Sequence, residues 1–154
     1  LKESIERGEH MNYIIVIAVL ILDQLSKILA LKYLVPVGDI PIINNIFHLT
    51  YVENRGAAFG LFQNQKLFFV ITTLLVLGFI WFYAHHNRLN KMMIVGLSLV
   101  AGGAIGNLID RVRLGFVVDY FNAVIINFPV FNIADSAVVV GAVLIGIFIL
   151  KYDR

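Results

Sequence analysis

The sequence predicts a membrane protein that is mainly α-helical, with four transmembrane helices and a small β-cradle on the extracytoplasmic face. Three observations carry that prediction. The 154-residue chain is 60% hydrophobic and only 14% charged, whereas soluble domains average about a quarter charged. Its apolar residues gather into four runs of roughly the 20 residues a helix needs to cross a hydrocarbon core. Between them lie two longer segments rich in β-branched and aromatic residues, both on one side of the membrane.

The four runs fall at about 12–34, 67–86, 92–110 and 132–150. The second is the cleanest. The first and third carry charge, which is costly in hydrocarbon and therefore informative. The third also holds Ser98, Gly102 and Gly106 at four-residue spacing, a pattern that lets helix backbones approach closely. A short basic hairpin, "HHNRLNK" at 85–91, joins helices two and three. The longer segments, about 35–66 and 112–131, lie on the opposite side. In the first, Phe47, Leu49 and Tyr51 alternate as in a strand, and Asn44-Asn45 suits a turn. Together the two segments can build one small sheet. The basic hairpin favours the cytoplasm, which puts both termini there too, although Lys27, Lys32, Arg55, Lys66, Arg111 and Arg113 fall toward the other side.

The length suits a single unit, residues 11–154. Residues 1–10, "LKESIERGEH", are polar and mixed in charge. They do not resemble a signal peptide and read as a remnant foreign to the protein, with Met11 as the natural start. The apolar run after Met11 lacks a small-residue cleavage site, so it is expected to stay as an anchor. A formal net charge of +2 without a dense basic block gives no reason to expect nucleic acid. The absence of cysteine excludes disulfides, thiolate metal sites and a cysteine nucleophile. His48, His85 and His86 lack metal-ligand spacing.

Two aspartates stand out. Asp135 lies near the start of the fourth run, in "FNIADS". Asn132 and Asp135 have the spacing of a capping box, and a carboxylate suits the positive end of a helix, so capping alone would explain Asp135. Asp119 lies in "GFVVDYFN" among Val117, Val118, Tyr120 and Phe121, with no cation adjacent. If 112–131 folds back against the start of helix four, the two carboxyls meet in one poorly hydrated place. Their proton affinities then separate, leaving one group to activate water and the other to hydrogen-bond a carbonyl, the division of labour in aspartic proteases. Gly103, Asn107 and either Asp110 or Arg111 succeed one another at helical spacing and end where that segment begins. They can orient a substrate backbone, or mark a helix end at which Asp110 and Arg111 pair. Asp23 and Lys27, four residues apart, fit an internal ion pair. Asn54 and Gly56 fit either a glycine-permitted turn or a polar wall of the site.

Together "DQLSK", "ENRGAAFG", "GGAIGNLIDR", "GFVVDYFN" and "FNIADSAVVVG" occur in the order found in bacterial lipoprotein signal peptidases, also called signal peptidase II. The resemblance spans about residues 12–150. It implies a four-helix membrane aspartyl endopeptidase in the bacterial cytoplasmic membrane, with Asp119 and Asp135 catalytic and cytoplasmic termini. It implies a prolipoprotein substrate carrying diacylglyceryl on its lipobox cysteine and cut just before that cysteine. By the same matching Asn54, Gly103, Asn107, Arg111 and Asn132 line the substrate site, and Asp23, Lys27, Gly56 and Asp110 support it. No metal and no organic cofactor are implied. Membrane lipid and the inhibitor globomycin are the other expected partners, and a monomer is expected. The competing reading is a small proton-coupled transporter using intramembrane carboxylates, which would spread its acids across the bilayer depth.

Overall fold

The computed structural model describes residues 11–57, 59 and 61–152; the reading of residues 1–10 lies outside them. Among the described residues, four helices are long and apolar enough to cross a membrane. Helix α1, Tyr13–Leu29, is capped by Asn12, whose side chain accepts from the amides of Ile14 and Ile15, and it runs on through a π-helical turn at Ala30–Leu34. Helix α2 is Lys66–His86, and α4 is Ile133–Tyr152. Helix α3, Lys91–Leu114, continues one turn past the expected end at residue 110. Its last turn carries Arg111 and Arg113, cations that suit a helix C-terminus. It stops at Gly115, whose φ of 86° is the left-handed conformation typical of a helix stop.

Helix α3 is the axis of the bundle and contacts the other three helices. Two stripes of small residues allow this. Ser98, Gly102 and Gly106 face α1: the Ser98 hydroxyl accepts from the Asn12 amide at 2.9 Å, and a Cβ at Gly102 would stand 2.9 Å from Val19 Cβ. On a second face Gly96 and Gly103 meet α4. A Cβ on Gly103 would strike the carbonyl of Ala134, in the first turn of α4. The α2 helix is mostly unburied by protein, and large apolar side chains such as Leu75, Phe79 and Trp81 face outward, as befits a helix surrounded by lipid.

The C-terminal ends of α1 and α3 and the N-terminal ends of α2 and α4 share one face of the bundle, and a three-stranded antiparallel sheet sits there. Its strands are β1 (Asp39–Ile43), β2 (Phe47–Asn54) and β3 (Val117–Asn122), in the order β1-β2-β3. The expected turn is present, with Asn45 left-handed at φ 60° and the Ile46 amide bonded to the Ile43 carbonyl at 3.0 Å. The edge strand β1 is short and contains Pro41, both devices that discourage edge-to-edge pairing. The sheet rests on the bundle through Ala30, Leu34, Val118 and Tyr120.

Two irregularities shape this face of the molecule. Between Leu49 and Val52 the pairing of β2 with β3 shifts by one residue: Leu49 faces Phe121, but Val52 faces Asp119. After β3 the chain turns back through residues 123–130, and Phe131 forms a bridge with Phe121, with amide-to-carbonyl distances of 2.8 and 3.0 Å. Residue 132, where α4 is capped, is therefore held beside β3.

Candidate active site

Asp119 and Asp135 meet at this junction. Asp119 stands on β3 opposite Val52, so Asn54 is its diagonal neighbour on the same face of the sheet, within side-chain reach. Asn54 Nδ2 donates to Asp119 Oδ2 at 2.9 Å, and Asn132 Nδ2 donates to Oδ1 at 2.7 Å. Asp135 lies in the first turn of α4. Asn107 Nδ2 donates to its Oδ1 at 2.7 Å, and the Asn132 amide donates to its Oδ2 at 3.2 Å. The Asp135 amide in turn donates to Asn132 Oδ1 at 2.8 Å. The capping box thus exists, and its members also form the junction between the two carboxyls.

Each of the three asparagines is oriented by a group that can only donate. The Asn54 oxygen accepts from the Gly56 amide at 3.0 Å, the Asn132 oxygen from the Asp135 amide, and the Asn107 oxygen from the Lys27 ammonium at 2.9 Å. Their NH2 groups must therefore point at Asp119, Asp119 and Asp135 respectively. Asp119 is 1% exposed. Burial, and then the neighbouring charge of Asp135, push its carboxyl up to about 7, against the opposing pull of the two amides.

Behind the pair lies a buried ion cluster. Lys27 Nζ is 2.9 Å from Asp23 Oδ2 and 3.0 Å from Asp110 Oδ2. Asp23 Oδ1 accepts from the Ala134 amide at 3.0 Å, and Asp110 Oδ2 accepts from the Val118 amide at 3.0 Å. The cluster therefore ties α1 and α3 to the residues next to both candidate catalytic positions. Asp110 pairs with Lys27, and Arg111 is directed elsewhere: its Nη2 donates to the Gly56 carbonyl at 3.2 Å, and its guanidinium lies 4.7 Å from the centre of the Phe69 ring.

Two cavities open on the carboxyls. One, of about 620 Å³, is largely apolar and is lined by Phe69, Phe131 and Val138–Val140 together with Asn107, Arg111 and Asp135. The other, of about 490 Å³, lies over the sheet beside Asp119, Glu53, Gln63, Asn122 and Asn127. Asn54 and the Phe128–Val130 segment border both. Of the residues expected along the substrate, Asn54, Asn107 and Arg111 reach a cavity wall. Gly103 and Asn132 are buried behind the carboxyls, Gly103 against Ala134 and Asn132 at 0% exposure. Among the described residues no group of three His, Cys, Asp or Glu side chains could hold a metal ion.

Comparison with known proteins identifies the family. The sequence model described as "Signal peptidase (SPase) II" matches residues 15–151. The chain belongs to that family. It is an aspartic-type endopeptidase of the membrane. The lipoprotein signal peptidase of Clostridioides difficile strain 630 is 56% identical over 144 residues, covering 93% of this chain and 97% of that protein. The lipoprotein signal peptidase of Streptococcus pneumoniae is 44% identical over 142 residues, covering 91% and 92%. A solved bacterial membrane enzyme superposes with a TM-score of 0.82 at 35% identity, covering 93% of each chain. A second superposes with a TM-score of 0.80 at 33% identity.

Sequence reasoning did not single out Gln24, Ser26 or Tyr120 for this signal peptidase. Gln24 Nε2 donates to Asp110 Oδ1 at 3.1 Å; its place between Asp23 and Lys27 was the available signal. The Ser26 and Tyr120 hydroxyls are 2.5 Å apart. Those two are 94 residues apart in the chain, and no local pattern could join them. Burial pushes the Tyr120 phenol up to about 12, so it stays protonated and acts as a strut between α1 and β3.

Proposed function

We propose that Asp119 and Asp135 are the catalytic pair of this signal peptidase and that they cut prolipoproteins just before a diacylglyceryl-modified cysteine. The observation that carries this reading is the meeting of two buried carboxyls, bridged by Asn132, at the boundary between an apolar and a polar cavity. Water attacks the scissile carbonyl carbon as one carboxylate takes its proton, and the other carboxyl gives a proton to the carbonyl oxygen. When the tetrahedral intermediate collapses, the C–N bond breaks, the leaving nitrogen takes the proton first removed from water, and one hydroxyl of the intermediate returns its proton to the carboxylate that had given it, which restores the pair. The products are the signal peptide with a new carboxyl terminus and a lipidated cysteine with a free amine. The apolar cavity suits acyl chains, and Asn54 and Arg111 on its wall suit the peptide backbone and globomycin.

The enzyme is a multi-span membrane protein. In our reading it works as a monomer in the bacterial cytoplasmic membrane, with both termini in the cytoplasm and the sheet outside. The basic 85–91 connection at the end of the bundle away from the sheet supports that orientation. The gathering of the carboxyls at one end also favours a peptidase over a transporter, whose acids would trace a path through the bilayer.

The direct test is incubation of purified protein with a diacylglyceryl-modified lipobox peptide, with the products read by mass spectrometry. A single cut immediately before the lipidated cysteine is expected, and a cut elsewhere overturns the reading. A second expectation concerns Arg111. Arg111→Ala should raise KM and weaken globomycin binding by about tenfold or more, as for loss of a charged hydrogen-bond donor. Inhibitor affinity measured on the folded fraction is decisive: an unchanged value would reduce Arg111 to a tie between Gly56 and Phe69.

A further inference from the structure

The buried ion cluster holds two carboxylates and one ammonium, all within 3% exposure. Charge pairing would be served by Asp23 and Asp110 alone. Yet the third contact of Lys27 goes to a neutral group, the oxygen of Asn107, at 2.9 Å. We propose that Lys27 is a positioning residue which, through Asn107, holds Asp135 as the charged, water-activating member of the pair and leaves the proton to Asp119. The inference rests on the catalytic assignment above and adds the roles within it.

The Asn107 amide is the link. An ammonium has three donors and no acceptor, so only one orientation of that amide satisfies it, the one with NH2 toward Asp135 Oδ1 at 2.7 Å. Turned by 180°, the amide would set its oxygen against the carboxylate. Asn132 cannot enforce the same orientation by itself. Its two amide hydrogens face three acceptors: Asp119 Oδ1 at 2.7 Å, Asn107 Oδ1 at 3.2 Å and the Val118 carbonyl at 3.3 Å. The ammonium also polarises the amide that it holds, which strengthens the donor facing Asp135.

The two carboxyls therefore differ in their surroundings. Asp135 receives this cation-backed donor and a backbone amide in the positive first turn of α4. Among the described residues, Asp119 receives two neutral side-chain amides, on a strand. The charged groups around Asp135 are Asp23 and Lys27 from α1, Asp110 and Arg111 from α3, and Asp119 from β3. Of the two cations, only Lys27 is joined to Asp135 through a hydrogen-bonded side chain.

Three variants test the proposal in the full-length enzyme: Lys27→Met, Lys27→Met with Asp110→Asn, and Asn107→Leu. The double variant keeps the cluster at one net negative charge, and its new amide oxygen can still accept from Val118. In every folded variant kcat should fall about a hundredfold, the scale of a misplaced catalytic group, with KM held within about threefold. The acid limb of the kcat profile should move to higher pH, since the Asp135 carboxylate has lost a donor. A merely structural Lys27 predicts a lower Tm with native kcat and pH profile in the folded fraction, and that result overturns the proposal. If neither Lys27 variant folds, Asn107→Leu decides, since it leaves the ion cluster whole: native kcat there also overturns it. Turnover surviving in Asp119→Asn or Asp135→Asn would instead sink the catalytic assignment, so the two failures are distinguishable.

Discussion

Asp119→Asn and Asp135→Asn should each lose cleavage of a diacylglyceryl lipobox peptide by at least about a thousandfold, within the range for removing a general acid or base. The loss is expected to be complete in practice, because neither remaining carboxyl can perform both proton transfers. The variants should still fold. In each, one new NH2 group must face an amide donor already in place, Asn107 or the Asn132 backbone amide for position 135 and Asn54 or Asn132 for position 119. The cost of one such lost hydrogen bond is about 1 kcal/mol, visible as a modest drop in Tm. Retained turnover with a lowered Tm in Asp135→Asn would reduce that residue to its part in the capping box. The pH dependence comes from Asp119. Burial and the neighbouring Asp135 push its carboxyl up to about 7 in the folded protein, against about 4 in an unfolded chain. The folded state thus holds a proton that the unfolded state has released. This group's contribution to stability is therefore greatest below about pH 4 and declines as pH rises toward 7. Activity should decline above about pH 7 as that proton is lost, and Asp119→Asn should remove the group's part of the stability slope.

Removing the diacylglyceryl group from the peptide should lower kcat/KM by at least about a hundredfold, since each buried methylene is worth about 0.8 kcal/mol relative to water and four of them already reach that factor. Most of the gain arises when the chains enter the membrane and bring the scissile bond to the depth of the two aspartates. The Phe69, Phe131 and Val138–Val140 wall then has only to accept the chains without loss. Matched peptides with and without the lipid, assayed in the same bilayer, measure the effect. Equal rates would describe a general protease.

Much of the fold was legible because hydrocarbon is a severe filter. The four apolar runs, the Asn44-Asn45 turn and a strand through Phe47, Leu49 and Tyr51 all appear in the structure, although a bulge after Leu49 interrupts the alternation. The last turn of α3 was missed because the charges of Asp110, Arg111 and Arg113 read as a boundary with water. Asp110 is instead neutralised by Lys27 from another helix, and Gly115 was the true stop signal. At the site, the i, i+4 pair of Asp23 and Lys27 and the capping spacing of Asn132 and Asp135 were local and readable. The meeting of Asp135 with Asp119 was not, because it depends on the bridge between Phe121 and Phe131. Nor was the third contact of Lys27, made to a residue 80 positions away.

The extra residue in β2 has a chemical consequence. His48 stands opposite Asn122 and Leu49 opposite Phe121. Continued without interruption, that pairing would set Tyr51 against Asp119 and Glu53 against Val117. Glu53 would then be the diagonal neighbour of Asp119, a third acid crowded onto a carboxyl that already resists ionising. With the bulge, Val52 takes the place opposite Asp119 and Asn54 takes the diagonal one, so an amide donor stands where an acid would have been. Glu53 turns away to meet Arg55 at 2.8 Å. The parity of one strand, odd or even between the turn and the site, decides whether Asp119 is given a hydrogen bond or a repelling charge.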